Sequence, residues 1–271
     1  MGSGIAEVAA KTGHEVVLRS RSQATADAMV TSLEKSLTKQ VERGKLDDKD
    51  AKAALGRVNA TANLHELHAC DLVIESVVED LEVKKELFKE LDLVVRDDAI
   101  LATNTSTLPV IEMAVVTDRP DKVCGVHFFN PAPMMALVEI VRPLTASDAT
   151  IGAVSSFATT CGKSPVEVKD RAGFIVNALL FPYLNNAVRM LENGTASRED
   201  IDTAMKGGCN FPMGPLALID LVGLDTSLSI LDALYDEFRD PNYAAVPALR
   251  RMVTAGHLGR KSGHGFYDYS R

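Results

Sequence analysis

Through residues 1–170, short apolar runs alternate with longer stretches of helical spacing. Val16-Val17-Leu18, Leu72-Val73-Ile74, Ala99-Ile100-Leu101 and Val123-Cys124-Gly125-Val126 read as strands. Ala24–Arg43 and Glu82–Val95 read as amphipathic helices. In the second of these, Val83, Leu87, Phe88, Leu91 and Val94 repeat at the spacing that puts them on one helix face. Leu137–Val141 and Val166–Val168 are further candidate strands at the edge. Strands alternating with helices predict an α/β fold with a Rossmann-like, doubly wound parallel sheet.

The texture changes after Asp170. Phe174–Glu192 is one long apolar helix pattern, stopped by Asn193-Gly194. Ser197-Arg198-Glu199-Asp200 is a capping start for another helix, and Leu216–Phe238 is helical again. No strand pattern intervenes. The expected organisation is a dinucleotide-binding domain over residues 1–170 and an all-helical substrate and dimerisation domain over residues 171–271.

The amino end departs from the doubly wound pattern, which runs strand, glycine turn, helix. The chain opens on Met1-Gly2-Ser3-Gly4-Ile5-Ala6 in helical spacing, with the first strand of the sheet lacking. Gly2 reads as the third glycine of a G-x-G-x-x-G loop, the one that lets helix pack closely on strand. The expectation is an N-terminally truncated chain, or a start assigned at an internal methionine.

The chain has 271 residues, 46% of them hydrophobic and 24% charged, with a formal net charge of -8. That acidic balance, without a basic tail, argues against non-specific nucleic-acid binding. No apolar run reaches membrane-spanning length, and Glu7 interrupts any leader-like start. Cys70, Cys124, Cys161 and Cys209 form no C-x-x-C pair, which fits a reduced, cytoplasmic setting.

Four polar residues carry candidate chemistry. Ser106 follows the strand ending at Leu101, and His127 follows the strand ending at Val126. Carboxyl ends of parallel strands are where such sheets bind ligands. Glu139 is a carboxylate within Leu137-Val138-Glu139-Ile140-Val141. Asn177 lies on the apolar helix opening the second domain. Oxidising a secondary alcohol needs a base for the hydroxyl proton as hydride leaves the same carbon, and histidine titrates in the right range. A carboxylate on its other nitrogen would fix the tautomer and favour the imidazolium. Ser106 and Asn177 could hold the substrate oxygen and a thioester carbonyl. The plainer readings are a satisfied core histidine and a glutamate on the outward face of an edge strand.

Asn104-Thr105-Ser106-Thr107-Leu108, His127-Phe128-Phe129-Asn130-Pro131, Gly173-Phe174-Ile175-Val176-Asn177, Pro212-Met213-Gly214-Pro215 and Gly263-His264-Gly265-Phe266-Tyr267 resemble the signature runs of the 3-hydroxyacyl-CoA dehydrogenase family, 3-hydroxybutyryl-CoA type. The resemblance extends from Met1 to Tyr269 in order and spacing. It implies reversible oxidation of a short (S)-3-hydroxyacyl-CoA with a nicotinamide cofactor. His127 would be the base and Glu139 its partner, with Ser106 and Asn177 completing the catalytic set. It further implies that Glu79, Lys84, Asn104 and Asn130 contact the cofactor, and that the helical domain makes a homodimer.

NAD-using dinucleotide folds place an acid at the end of the second strand, to accept from the ribose 2′-hydroxyl. Here that stretch is Leu18-Arg19-Ser20-Arg21-Ser22, with Ser20 at the acid's place. Arginine can pair bidentately with a 2′-phosphate of about -1.5 to -2 charge, so NADP is the expected cofactor. NAD use over a solvated basic turn is the alternative. Lys35, Lys39 and Arg43 form a stripe that could meet the phosphates of coenzyme A, or a solvated face paired with Glu34 and Glu42. His65-Glu66-Leu67-His68 lacks the H-E-x-x-H spacing, and no metal site is expected. Gly259–Tyr267 reads as a packed C-terminal turn. Two other functions stay open: a dehydrogenase of a free hydroxy acid or sugar acid, and an inactive, binding-only paralogue.

Overall fold

A computed structural model describes residues 1–270. The chain folds into two compact units, the first Met1–Asp170 and the second beginning at Arg171.

The first unit carries strands β1 (Val16–Arg19), β2 (Val58–Thr61), β3 (Leu72–Glu75), β4 (Ile100–Thr103), β5 (Val123–Phe128), β6 (Leu137–Arg142) and β7 (Ser164–Lys169). Its helices are α1 (Gly2–Lys11), α2 (Gln23–Glu42), α3 (Asp48–Gly56), α4 (Leu81–Val94), α5 (Val110–Ala114) and α6 (Asp148–Thr160). The strands fall into two sheets, β1-β2 and β3-β4-β5-β6-β7. β1–β2, β3–β4, β4–β5 and β6–β7 pair parallel.

β5 and β6 pair antiparallel, so the sheet is mixed rather than all parallel as expected. The link between them, residues 129–136, is too short for the helical crossover that a parallel return requires. The pairing also carries β5 past Val126, which places His127 inside a strand instead of just after it.

Helix starts follow side-chain chemistry. Ser22, Asp80 and Ser147 each accept the backbone N–H three residues on, capping α2, α4 and α6. Asp170 does the same for α5 from a distance, accepting from Val110 and Ile111 at 2.9 and 2.8 Å. The main core joins Ile5 and Val8 of α1, Val126 and Phe128 of β5, Ile140 of β6 and Val154 of α6. Each fully buried side chain of this size contributes roughly 1.5–3 kcal/mol. A second cluster sets Ala6 and Ala10 of α1 and Leu18 of β1 against Leu33 and Leu37 of α2.

The second unit is helical: α7 (Val176–Glu192), α8 (Arg198–Cys209), α9 (Pro215–Val222), α10 (Leu224–Phe238) and α11 (Pro247–Thr254). The single helix expected over Leu216–Phe238 is two, because Gly223 at φ 104° breaks it. α7 begins at Val176 rather than Phe174, whose φ is 50°.

Two buried carboxylates organise this unit. Asp202 of α8 accepts the amides of Leu216 and Ala217 at 2.8 and 3.0 Å, capping α9 from outside it. Asp220 of α9 accepts the amides of Phe266 and Tyr267, both at 2.9 Å, and the Tyr269 hydroxyl at 3.2 Å. A Cβ on Gly214 would stand 2.3 Å from Asp202, and one on Gly265 would stand 2.0 Å from Asp220. The glycines of two of the signature runs are therefore where carboxylates approach the backbone. The Gly259–Tyr267 run is a turn packed on α9.

Candidate active site

His127 and Glu139 are partners on one rung of the β5–β6 ladder. Nδ1 of His127 lies 2.8 Å from Oε2 of Glu139. His127 is 6% exposed and Glu139 0%, so the carboxylate is sealed in the sheet rather than turned outward. Phe129 packs on the imidazole with ring centroids 4.5 Å apart. A buried carboxylate on Nδ1 fixes the orientation of the ring and leaves Nε2 as the other functional nitrogen.

The end of β4 is tied to the same place. Asn104 Oδ1 accepts the amide of Phe128 at 2.8 Å, fixing the loop of Thr105 and Ser106 beside the residue that follows His127. Glu79 holds that loop from its other side. It accepts the Thr105 hydroxyl at 2.5 Å, the Ser106 amide at 2.9 Å and the Ser106 hydroxyl at 3.4 Å. Burial alone would raise the Glu79 carboxyl. The Thr105 hydrogen bond, the Lys84 ammonium and the Ser106 amide outweigh it and hold the group below the usual glutamate range.

Lys84 is buried, with its ammonium 2.7 Å from Glu75 and 3.4 Å from Glu79. Glu75 also accepts the Thr103 hydroxyl at 2.8 Å and the Val77 amide. Sequence reading places Lys84 and Glu79 but misses Glu75 and Thr103. Glu75 ends an apolar strand, and an acid closing such a run is the signal that points to it.

Asn130 is exposed at the start of the loop after β5. Lys163 fastens that loop by donating to the carbonyls of Ala132 and Met135 at 2.7 and 2.8 Å. No motif points to Lys163. Asn177 is buried on the first turn of α7, in the second unit.

Gly2 opens α1, where a Cβ would meet only the Met29 methyl at 3.1 Å. Ser20 and Arg21 follow the carboxyl end of β1, Ser20 half-buried and Arg21 exposed. The neighbouring Arg19 has a buried Nε with no hydrogen-bond partner among the described residues. An orphaned guanidinium donor at a strand end suits a ligand that brings an acceptor. The residues present thus fit the ribose end of a dinucleotide. Lys35 and Lys39 are exposed on α2, and neither is ion-paired among the described residues, so the alternative of a face paired with Glu34 and Glu42 is not seen there.

Comparison with known proteins agrees over the whole chain. Residues 1–171 match the 3-hydroxyacyl-CoA dehydrogenase NAD binding domain, and residues 173–269 match the C-terminal domain of the same family. The chain is 48% identical over 271 residues to a 3-hydroxybutyryl-CoA dehydrogenase of Clostridioides difficile, covering 100% of this chain and 96% of that protein. It is 44% identical to the mitochondrial hydroxyacyl-coenzyme A dehydrogenase of Sus scrofa, covering 99% of this chain and 88% of that one. The crystal structure of FadB2 from Mycobacterium tuberculosis superposes with a TM-score of 0.97 at 49% identity, covering 99% of this chain and 95% of that one. An α/β, Rossmann-like NAD-binding domain followed by a helical domain, with signature runs matched throughout, makes this chain a member of the 3-hydroxyacyl-CoA dehydrogenase family.

Proposed function

We propose that the protein is a 3-hydroxybutyryl-CoA dehydrogenase, reversibly oxidising the 3-hydroxyl of a short (S)-3-hydroxyacyl-CoA to the 3-oxo thioester. The observation that carries this reading is the His127–Glu139 pair, 2.8 Å apart and sealed in the β5–β6 ladder. In the oxidative direction His127 takes the hydroxyl proton on Nε2, and Glu139 stabilises the imidazolium through Nδ1. Run in reverse, the same imidazolium returns the proton to the carbonyl oxygen. Ser106 orients the reacting oxygen from the loop that Glu79 and Asn104 hold. Asn177 takes the thioester carbonyl. The nicotinamide dinucleotide, when bound, accepts or supplies the hydride. Glu79, Lys84, Asn104 and Asn130 would contact it, and Gly2, as the third glycine of the nucleotide loop, would open the helix that packs closely on the loop's strand.

The preferred dinucleotide is NADP(H). The Arg19-Ser20-Arg21 turn has no carboxylate to accept from a 2′-hydroxyl, and Arg19 holds an unsatisfied donor. Lys35 and Lys39, unpaired among the described residues, meet the coenzyme A phosphates. A homodimer forms through the second unit, where Leu179, Met190, Phe211 and Leu221 are exposed. The four free cysteines accord with a cytoplasmic setting.

Purified chain given acetoacetyl-CoA with NADPH or NADH, followed by loss of reduced-nicotinamide absorbance, tests both levels. Turnover with either supports the reaction, and none with either overturns it. A kcat/KM for NADPH at least about 10-fold above that for NADH supports the cofactor preference, and Ser20→Asp should then move preference toward NADH. Equal or better use of NADH by the parent chain ends the NADP(H) reading.

A further inference from the structure

The loop that joins β5 to β6 offers several of its carbonyls to one short segment. Within residues 129–136 the amides of Met134 and Met135 both fold back on the Pro131 carbonyl, at 2.9 and 3.1 Å. The Ala132 and Met135 carbonyls accept instead from Lys163, whose ammonium lies 2.7 and 2.8 Å from them. An ammonium carries three donors, so one side chain can hold both. The next residue, Ser164 at the start of β7, donates its amide to the Ala136 carbonyl at 2.8 Å. Two consecutive residues thus take three carbonyls of the loop.

The loop is held between this clamp and α1. A Cβ on Gly4 would stand 3.4 Å from both the Ala132 Cβ and the Pro133 Cδ, so the loop already lies on the first turn of that helix. Residues 130–133 also form one wall of a cavity of about 240 Å³ shared with α1 and α2. Asn130 sits midway between two pins. Two residues before it, Asn104 holds the Phe128 amide. Two residues after it, Lys163 holds the Ala132 carbonyl. Lys163 is half-buried, and its own amide is anchored to the Ala158 carbonyl of α6 at 2.9 Å. Burial pushes its ammonium below the usual lysine range, although Cys161 and Glu7 pull the other way. A half-buried cation that donates to two carbonyls fixes the position of backbone.

We propose that Lys163 is a positioning residue for the dinucleotide: by clamping the Ala132 and Met135 carbonyls it sets where Asn130 meets the cofactor. This rests on the dehydrogenase reading above, in which Asn130 is a cofactor contact. The clamp acts on binding and not on proton transfer. His127 and Glu139 are held by the β5–β6 ladder and by their own hydrogen bond, neither of which passes through Lys163. Without the ammonium, the loop keeps its contact with Gly4 and the Ser164 bond but loses the pin beside Asn130. A contact displaced by a fraction of an ångström to an ångström then loses much of its value.

The test compares the parent with Lys163→Met, which keeps the aliphatic stem without donors, and Lys163→Arg, which keeps a cation able to reach two carbonyls. The probe is whichever of NADPH and NADH the parent binds better. Its Kd is measured by fluorescence titration, and its KM and kcat with saturating acetoacetyl-CoA. Lys163→Met should raise both Kd and KM by about 10-fold, with kcat within about 3-fold of the parent. Amide hydrogen exchange at Met134 and Met135 should quicken by about 10-fold, and Lys163→Arg should recover most of the lost affinity. A Kd within about 2-fold of the parent in Lys163→Met overturns the proposal. So does a matched fall in kcat, affinity and Tm in both variants, which would make the lysine a general prop of the fold. A parent that binds dinucleotide without turning over acetoacetyl-CoA defeats the dehydrogenase reading, and the Kd comparison still decides the clamp. A parent that binds neither dinucleotide overturns both.

Discussion

Gly125 stands opposite Val141 on the β5–β6 ladder, two residues along each strand from the His127–Glu139 rung. A Cβ at Gly125 would lie 2.6 Å from the Val141 Cβ and 3.3 Å from a Val110 methyl. The absence of a side chain there lets the strands close to hydrogen-bonding distance just where the imidazole must meet the carboxylate. Gly125→Ala is expected to cost about 1–3 kcal/mol of stability by overpacking. Because β5 must shift, kcat should fall as well. Chemical denaturation and steady-state kinetics check both, and an unchanged kcat would uncouple this glycine from the site.

His127→Asn removes the base while leaving a polar side chain in the strand. Expected is a fall in kcat of about 10²–10⁴-fold, with NADPH affinity within a few-fold of the parent. Glu139→Gln keeps the shape and removes the charge, so a smaller loss in kcat is expected, with KM for the acyl-CoA little changed. Parallel losses of cofactor affinity and kcat in both variants would point to a folding defect instead.

Lys84 is the only described cation within salt-bridge distance of Glu75, and both side chains are 1% exposed. Lys84→Met would leave a carboxylate in the interior without its counter-charge. Losing one partner of such a pair typically costs about 3–5 kcal/mol. Urea denaturation should show a loss in that range, and a loss under about 1 kcal/mol would mean that Thr103 and the Val77 amide satisfy Glu75 unaided.

Glu79 gives a pH signature. Its pKa is lower in the folded chain than in the unfolded one. Its contribution to stability is therefore present above the ordinary glutamate value of about 4.3 and is lost as pH falls through the depressed folded value. The parent's Tm should drop more steeply than that of Glu79→Gln below about pH 4.3. Parallel curves would show that Glu79 is not held by Thr105, Lys84 and Ser106 in solution.

Much of the site can be read from residues near one another in the chain. His127 and Glu139 lie on flanking apolar runs, close enough for a short return to bring them onto one rung. Ser106 and Asn104 follow a recognisable strand. What escapes is non-local or weakly patterned. β2 is four residues, Val58-Asn59-Ala60-Thr61, too short and mixed to register as a strand. α3 begins Asp48-Lys49-Asp50, and its buried alanines give little hydrophobic contrast. The Lys84–Glu75, Thr103–Glu75 and Lys163–Ala132 bonds span between 9 and 31 residues, and local periodicity carries no trace of that. The carboxylates of Asp202 and Asp220 explain why Gly214 and Gly265 are glycine, which spacing alone could not supply.

The bonds of Asp220 span a long stretch of chain: its carboxylate needs the amides of Phe266 and Tyr267 and the hydroxyl of Tyr269. During synthesis Asp220 is made 46 residues before the first of those donors, and translation adds roughly 5–20 residues per second. For seconds the nascent helix therefore carries an acid that nothing yet synthesised satisfies. The second unit cannot finish packing until the Phe266–Tyr269 segment has itself been made and has left the ribosome.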